Sequence, residues 1–116
     1  MFGGIDENYN CSNDVFIIKR WTHLQLFKAI TKGRPSIARS ECTMNFYEKL
    51  NILVIYGGKN EHSRFGPYFN DMYFLIVETL HWVKVELNYS DSFQPRGRHC
   101  SFIVDNVESI NKRYTY

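Results

Sequence analysis

The chain has 116 residues, of which 44% are hydrophobic and 22% are charged, and 14 basic against 12 acidic side chains leave a net charge of +2. This length allows one small domain, and the composition is typical of a globular protein. The small net charge does not indicate a nucleic-acid or membrane partner. Aromatic residues reach 16%, and because aromatic side chains favour strands, the composition predicts an all-β protein.

Targeting and cross-linking signals are not evident in the sequence. The longest uninterrupted apolar run, residues 72–77, is far shorter than the ~20 residues that span a bilayer. The first ten residues lack the basic start and apolar stretch of a secretory signal. The three cysteines, Cys11, Cys42 and Cys100, show no paired spacing. The sequence therefore predicts a reducing, cytoplasmic location without disulfide bonds.

Short strands separated by turns follow one another along the chain. Segment 24–30 has residues that suit a helix, but its match to the alternating segment 81–87 favours a strand. In the central part of the chain the patterns predict strands at 41–47, 50–56, 71–77 and 81–87, turns at 48–49 and 78–80, and loops at 59–69 and 88–95.

The sequence repeats itself with an offset of 57 residues. The segment NDVFIIKRWTHLQLFKA from Asn13 aligns without gaps with NDMYFLIVETLHWVKVE from Asn70. A Gly-Gly pair precedes each segment, with three extra residues in the loop of the second repeat. One four-stranded sheet leaves two faces open, whereas stacked sheets bury both. The repeat therefore predicts antiparallel four-stranded units stacked as propeller blades.

The order of these residues resembles the kelch repeat, in which an Arg precedes the inner strand, Gly-Gly follows the second strand, Asn-Asp opens the third, and Thr and Trp lead into the fourth. The residues that carry the resemblance are Arg39, Gly57, Gly58, Asn70, Asp71, Tyr73, Thr79 and Trp82, with Gly3, Gly4, Asn13 and Asp14 in the preceding repeat and Arg96 in the following one. The resemblance implies a partial kelch β-propeller over residues 1–116. Its first repeat (1–33) is the end of one blade, its second (39–90) a complete blade, and its third (95–116) the start of the next, with an irregular tail.

The pattern departs from the family in places. The first repeat has Gln25 where the second has Trp82, and after Asp105 the pattern is lost. Propellers close with ~4–8 blades, so three interpretations stay open for a chain of under two blades. It is a fragment of a longer propeller, or it assembles with other chains through open blade edges, or it is a marginal product with an irregular last strand.

The resemblance implies a non-catalytic protein-interaction module, most simply a fragment of a larger propeller. In kelch domains that bind peptides, contacts come from residues after Gly-Gly and from the Arg near the inner strand, which here are Lys59, Arg39 and Arg96. Their charge suits an acidic peptide. Phe65 and Tyr68 are further candidates, because they lie in the longest loop between paired strands. The alternative is that the arginines tie blades together and the loop is merely solvated.

No residue pattern in the sequence indicates catalysis or a cofactor. The four histidines, at positions 23, 62, 81 and 99, are not at metal-ligand spacing, and the Gly-Gly pairs lack the context of a phosphate loop. We therefore expect no enzyme activity, no cofactor, and no nucleic-acid or membrane partner. Two alternatives stay open, which are a piece of a propeller enzyme (galactose-oxidase-like or sugar-active) and a non-functional truncated product.

Overall fold

The computed structural model describes residues 1–20, 22–64, 66–86 and 94–103, together with the backbone of a short strand at 113–115. Within these residues the only helix is one 3₁₀ turn, Glu48–Leu50, and every strand pairing is antiparallel. The predicted all-β class is confirmed. Part of the loop expected at 88–95 and most of the tail after Asp105 lie outside the described residues.

Eight strands form three sheets. The first sheet has the order β1-β2, the central sheet β3-β4-β5-β6, and the last β7-β8. Segment 24–30, ambiguous between helix and strand, contains β2, as the repeat predicted. The strands are β1 Phe16–Arg20, β2 Leu24–Lys28, β3 Thr43–Tyr47, β4 Ile52–Tyr56, β5 Met72–Ile76, β6 His81–Val85, β7 Ser101–Ile103 and β8 Arg113–Thr115.

The central sheet is apolar on both faces because its strands alternate between two sets of large side chains. Ile55 lies opposite Tyr73, and Leu75 lies opposite Trp82. These side chains form one buried cluster with Val15 of the first repeat. The second cluster, on the alternating positions, contains Tyr47, Ile52, Val54, Tyr56 and Met72, with Ile103 of the third repeat packed against it. Residues of both neighbouring repeats therefore cover the central sheet.

The first two repeats have the same backbone geometry around their Gly-Gly pairs. The φ angles are 76° and 110° at Gly3 and Gly4, and 68° and 106° at Gly57 and Gly58. In both repeats the second glycine donates its N–H to the carbonyl of the arginine that starts the following repeat. These hydrogen bonds are Gly4 to Arg39, 3.0 Å, and Gly58 to Arg96, 2.8 Å. The two copies of the sequence repeat thus share the same backbone hydrogen bond as well as the same residues.

The three sheets lie within the segments 1–33, 39–90 and 95–116, and the assignment of these segments as propeller blades stays a prediction. The tail that we expected to be irregular contributes β8, which pairs with β7. Its residues Arg113–Thr115 include Tyr and Thr, which favour strands. In the described part of the chain no helix is long and apolar enough to span a membrane.

Candidate functional site

The Gly57–Gly58 turn after β4 brings the ends of successive repeats into close contact. A Cβ atom at Gly58 would lie 2.7 Å from the carbonyl oxygen of Ser40, and one at Gly57 would lie 2.9 Å from that of Arg96. Both glycines have a positive φ, which other residues rarely adopt. The turn therefore requires glycine on two grounds, conformation and space. It places Lys59, the next residue, against the start of the second repeat, where Lys59 and Ser40 exchange backbone hydrogen bonds of 2.8 and 2.9 Å.

Arg39 is fully buried, although the sequence made it a candidate for partner contact. Its Nη2 donates to Oδ2 of Asp71 at 3.0 Å, and its Nη1 donates to the carbonyl of Gly57 at 2.8 Å. Its guanidinium also stacks 4.5 Å from the ring centre of Phe69. These side-chain partners all belong to the second repeat, so the guanidinium holds the start of that repeat against its own Gly57 turn and β5 and does not tie one repeat to another. A guanidinium with no exposed surface has no access to a partner.

Arg96 is placed like Arg39 but is partly exposed. Its Nε donates to the carbonyl of Gln94 at 3.1 Å, just as the Nε of Arg39 donates to the carbonyl of Ile37 at 3.0 Å. Arg39 has the carboxylate of Asp71 as a partner, whereas none of the described residues supplies a carboxylate to Arg96. Within the described residues Arg96 therefore keeps the Nε contact of Arg39 without the carboxylate contact.

Lys59 and Tyr68, both from the loop after β4, lie close together. Lys59 Nζ is 5.5 Å from the centre of the Tyr68 ring and 2.9 Å from Oε1 of Glu61. The hydrogen bond from Lys59 lowers the pKa of the Glu61 carboxyl and raises the pKa of Lys59. Glu61 therefore already engages part of the lysine charge. Phe65, the other aromatic candidate of this loop, lies outside the described residues.

A second ion pair, between Glu41 and Arg98, was not anticipated from the sequence. Arg98 Nε donates to Oε1 of Glu41 at 3.0 Å, although the arginine side chain is 82% exposed. This contact raises the pKa of Arg98. The sequence contains one indication of this pair, because Glu41 and Arg98 are equivalent positions 57 residues apart and carry opposite charges. Both also have a positive φ, 56° and 52°.

These groups form one surface where the loop after β4 meets the starts of the second and third repeats. A Cβ atom at Gly97 would lie 2.9 Å from Oε2 of Glu41 and 3.3 Å from Cε1 of Tyr68. The Glu41–Arg98 pair and the loop that carries Lys59 and Tyr68 therefore lie side by side. We call this the end surface, and its members are Glu41, Lys59, Glu61, Tyr68, Arg96 and Arg98. Of its three cations, Lys59 and Arg98 are each paired with a glutamate, whereas no glutamate in the described part of the chain pairs with Arg96.

The remaining repeat residues have structural contacts. Asn13 Nδ2 donates to the carbonyl of Ser36 at 3.2 Å, and Asp14 pairs with Lys28 at 3.3 Å. The Tyr73 and Trp82 rings meet edge to face, with centroids 6.2 Å apart. Thr79 lies exposed in the turn between β5 and β6, and Asn70 and Asp71 lead into β5. The contacts of Asn13, Asp14, Tyr73 and Trp82 thus connect neighbouring strands or connect a repeat to the segment that follows it.

The histidines are dispersed, and His99 contacts Thr43 at 3.3 Å between its Nε2 and the threonine Oγ1. Among the described residues no group of three or more His, Cys, Asp or Glu side chains is arranged to hold a metal ion. In the same part of the chain the thiols of Cys11, Cys42 and Cys100 are free.

No protein-family model matches the sequence. Among curated proteins the chain is similar to the host cell factor homolog hcf-1 of Caenorhabditis elegans. The two are 28% identical over 119 aligned positions, which cover 90% of this chain. The chain spans only 15% of the length of that relative.

Proposed function

We propose that this chain is a kelch-type segment of a β-propeller and a non-catalytic protein-interaction module whose end surface binds an acidic peptide. The proposal is supported by the repeated antiparallel architecture and by the similarity to the host cell factor homolog. The central observation is Arg96, which is oriented like Arg39 but has no carboxylate among the described residues.

The contacts of Arg39 indicate which group an arginine at this repeat position binds. Its guanidinium donates two hydrogen bonds to the carboxylate of Asp71, the paired geometry that arginine favours with carboxylates. A glutamate or aspartate of a partner peptide takes the corresponding place at Arg96. The backbone of Arg96 adjoins the turn that precedes Lys59, since the N–H of Gly58 donates to the Arg96 carbonyl, and the proposal places Lys59 and Tyr68 beside the same bound peptide.

The test measures binding of the peptide acetyl-Asp-Glu-Ala-Glu-Asp-amide to the full 116-residue chain, with the corresponding lysine peptide as the comparison. Replacing Arg96→Gln is expected to weaken the acidic peptide by roughly tenfold, because a charge-assisted hydrogen bond is lost. Arg20→Gln is the matched control, since Arg20 is an exposed arginine at the end of β1, away from the end surface. Glu61→Gln is expected to strengthen binding, because it releases Lys59 from its internal partner.

Two results would contradict the proposal. One is equal affinity for the acidic and the basic peptide. The other is an Arg96→Gln variant that binds like the Arg20→Gln control.

As the alternative to a place in a longer propeller, we propose that the first repeat associates with a second copy of the chain through the exposed face of β1 and β2. Ile18 is 55% exposed and Leu26 is 58% exposed, whereas Leu75, equivalent to Ile18 in the second repeat, is 1% exposed. Light scattering on the eluted chain is expected to give a discrete oligomer, and Ile18→Lys is expected to dissociate it. A wild-type chain that elutes as a monomer would exclude this association.

A further inference from the structure

A cleft of about 510 Å³ lies beside the end surface, between the segment that leads into the second repeat, the start of β5 and the strand β6. This volume lies within the range of roughly 300–1,000 Å³ that is common for binding pockets. The residues that define its character are Arg34, Tyr68, Phe69, Tyr73, Trp82 and Lys84. Tyr68 belongs both to this cleft and to the end surface.

The floor of the cleft is aromatic and its rim is cationic. Phe69, Tyr73 and Trp82 are only 6%, 7% and 3% exposed. Arg34 and Lys84 are exposed, and neither has an ion pair with any residue that the structure describes. The nearest carboxylate on the lining, that of Asp71, is already bound by Arg39. The cleft therefore combines aromatic walls with two uncompensated positive charges.

An aromatic ring interacts favourably both with the aromatic walls of this cleft and with the cations at its rim, whereas an aliphatic side chain interacts favourably only with the walls. Its edge and face pack against the tyrosine and tryptophan rings in the offset and edge-to-face arrangements that aromatic pairs prefer. Its face attracts an arginine or lysine placed above it. Carboxylates next to the ring in sequence then find Arg34 and Lys84 at the rim.

We propose that the cleft is the anchor pocket for an aromatic side chain of the acidic peptide, with acidic neighbours of that side chain paired to Arg34 and Lys84. The inference rests on the proposed function, because it names the residue type that the same peptide inserts beside the end surface. Aromatic side chains seated in pockets dominate the affinity of many interfaces.

The test compares two peptides on the full chain, acetyl-Asp-Glu-Tyr-Glu-Asp-amide and its counterpart with Ala in place of Tyr. Burying the ring is expected to make the tyrosine peptide bind roughly tenfold more tightly. Only the tyrosine peptide is expected to shift the NMR signal of the Trp82 indole N–H, which has no hydrogen-bond partner in the described structure. The signal is distinguished from that of Trp21 with a Trp21→Phe variant.

The rim is tested with exposed residues whose replacement leaves the core intact. The double variant Arg34→Gln, Lys84→Gln is expected to weaken both peptides by roughly threefold or more, since both carry the carboxylates that pair with the rim and exposed charges each contribute modestly. Lys49→Gln is the matched control, because Lys49 is an exposed lysine in the 3₁₀ turn between β3 and β4.

The outcomes separate the two proposals. Equal binding of both peptides, with binding still sensitive to Arg96→Gln, overturns the anchor pocket and leaves the end surface intact. A tyrosine preference without any shift of the Trp82 signal, or affinities for both peptides that are unchanged in the double variant, also overturns the pocket. Absence of binding by either peptide overturns the proposed function and this inference with it.

Discussion

Arg39 and Asp71 form a paired hydrogen bond across 32 residues of chain, with the arginine completely buried. The side chain of Arg39 connects the start of the second repeat to the entrance of β5. Its carbonyl accepts the N–H of Gly4, so the same residue also holds the first repeat. Arg39 thus stabilises the second repeat internally through its side chain, and it contacts the first repeat through its backbone carbonyl.

Removal of the Arg39 charge should strongly destabilise the chain. Arg39→Met leaves the Asp71 carboxylate and the Gly57 carbonyl without their donors, and breaking one partner of a buried pair costs about 3–5 kcal/mol. Arg98→Met removes an arginine from the exposed pair with Glu41 and should cost about 1 kcal/mol or less. Denaturant unfolding of both variants measures the difference. Equal destabilisation by the two variants would show that the buried Arg39–Asp71 pair contributes no more to stability than the exposed Arg98–Glu41 pair.

Gly4 and Gly58 have nearly the same φ but different surroundings, so replacing each with alanine distinguishes the cost of backbone strain from the cost of a steric clash. Gly4 has φ 110° and open space around its Cβ position, whereas Gly58 has φ 106° and a Cβ position 2.7 Å from the Ser40 oxygen. Gly4→Ala should therefore cost only the strain of the backbone, about 1–3 kcal/mol. Gly58→Ala should cost clearly more or prevent folding. Thermal unfolding followed by circular dichroism tests this order, and a reversed order would contradict the close approach.

Trp82 should be essential for the core that joins the first and second repeats. It is 3% exposed and meets the rings of Phe2 and Tyr73 edge to face. Trp82→Ala should cost about 3–5 kcal/mol in the free energy of unfolding. Gln25→Ala, at the equivalent exposed position of the first repeat, should change stability by about 0.5 kcal/mol or less. A Trp82→Ala chain as stable as the Gln25→Ala chain would rule out this packing.

Cys42 should react with iodoacetamide more slowly than Cys100. Burial raises the pKa of the Cys42 thiol, so less thiolate is present at neutral pH, whereas Cys100 is exposed. Mass spectrometry of tryptic peptides at successive labelling times measures both rates, and denaturant should abolish the difference. Faster labelling of Cys42 in the folded chain would contradict its placement beside the Gly57–Gly58 turn.

Local patterns account for much of the fold. Apolar runs and turn residues located the strands of the central sheet to within one or two residues, and the repeat assigned segment 24–30 to a strand. Gly57 and Gly58 were recognised because glycine adopts a positive φ at lower cost than other residues do. The offset of 57 residues also relates Glu41 to Arg98, but pairing of these charges was not foreseen, because equivalence in sequence does not state which equivalent positions touch.

The site was less accessible to sequence reasoning. Arg39 and Arg96 share the same local sequence role and the same hydrogen bond from Nε. Only the surrounding chain distinguishes them, since Asp71 and Phe69 enclose the first and no described carboxylate meets the second. The cleft beside Trp82 was not foreseen either, because its walls come from segments far apart in the sequence.

The sequence by itself determined the all-β class, the duplication and the positions where glycine is required, because strand propensity, alternation and φ preference are local properties. Tertiary structure decided which arginine is buried, which ion pairs form and where the aromatic residues leave a cleft. Those outcomes depend on how successive sheets stack and on which distant groups desolvate each other, and no local pattern encodes that arrangement.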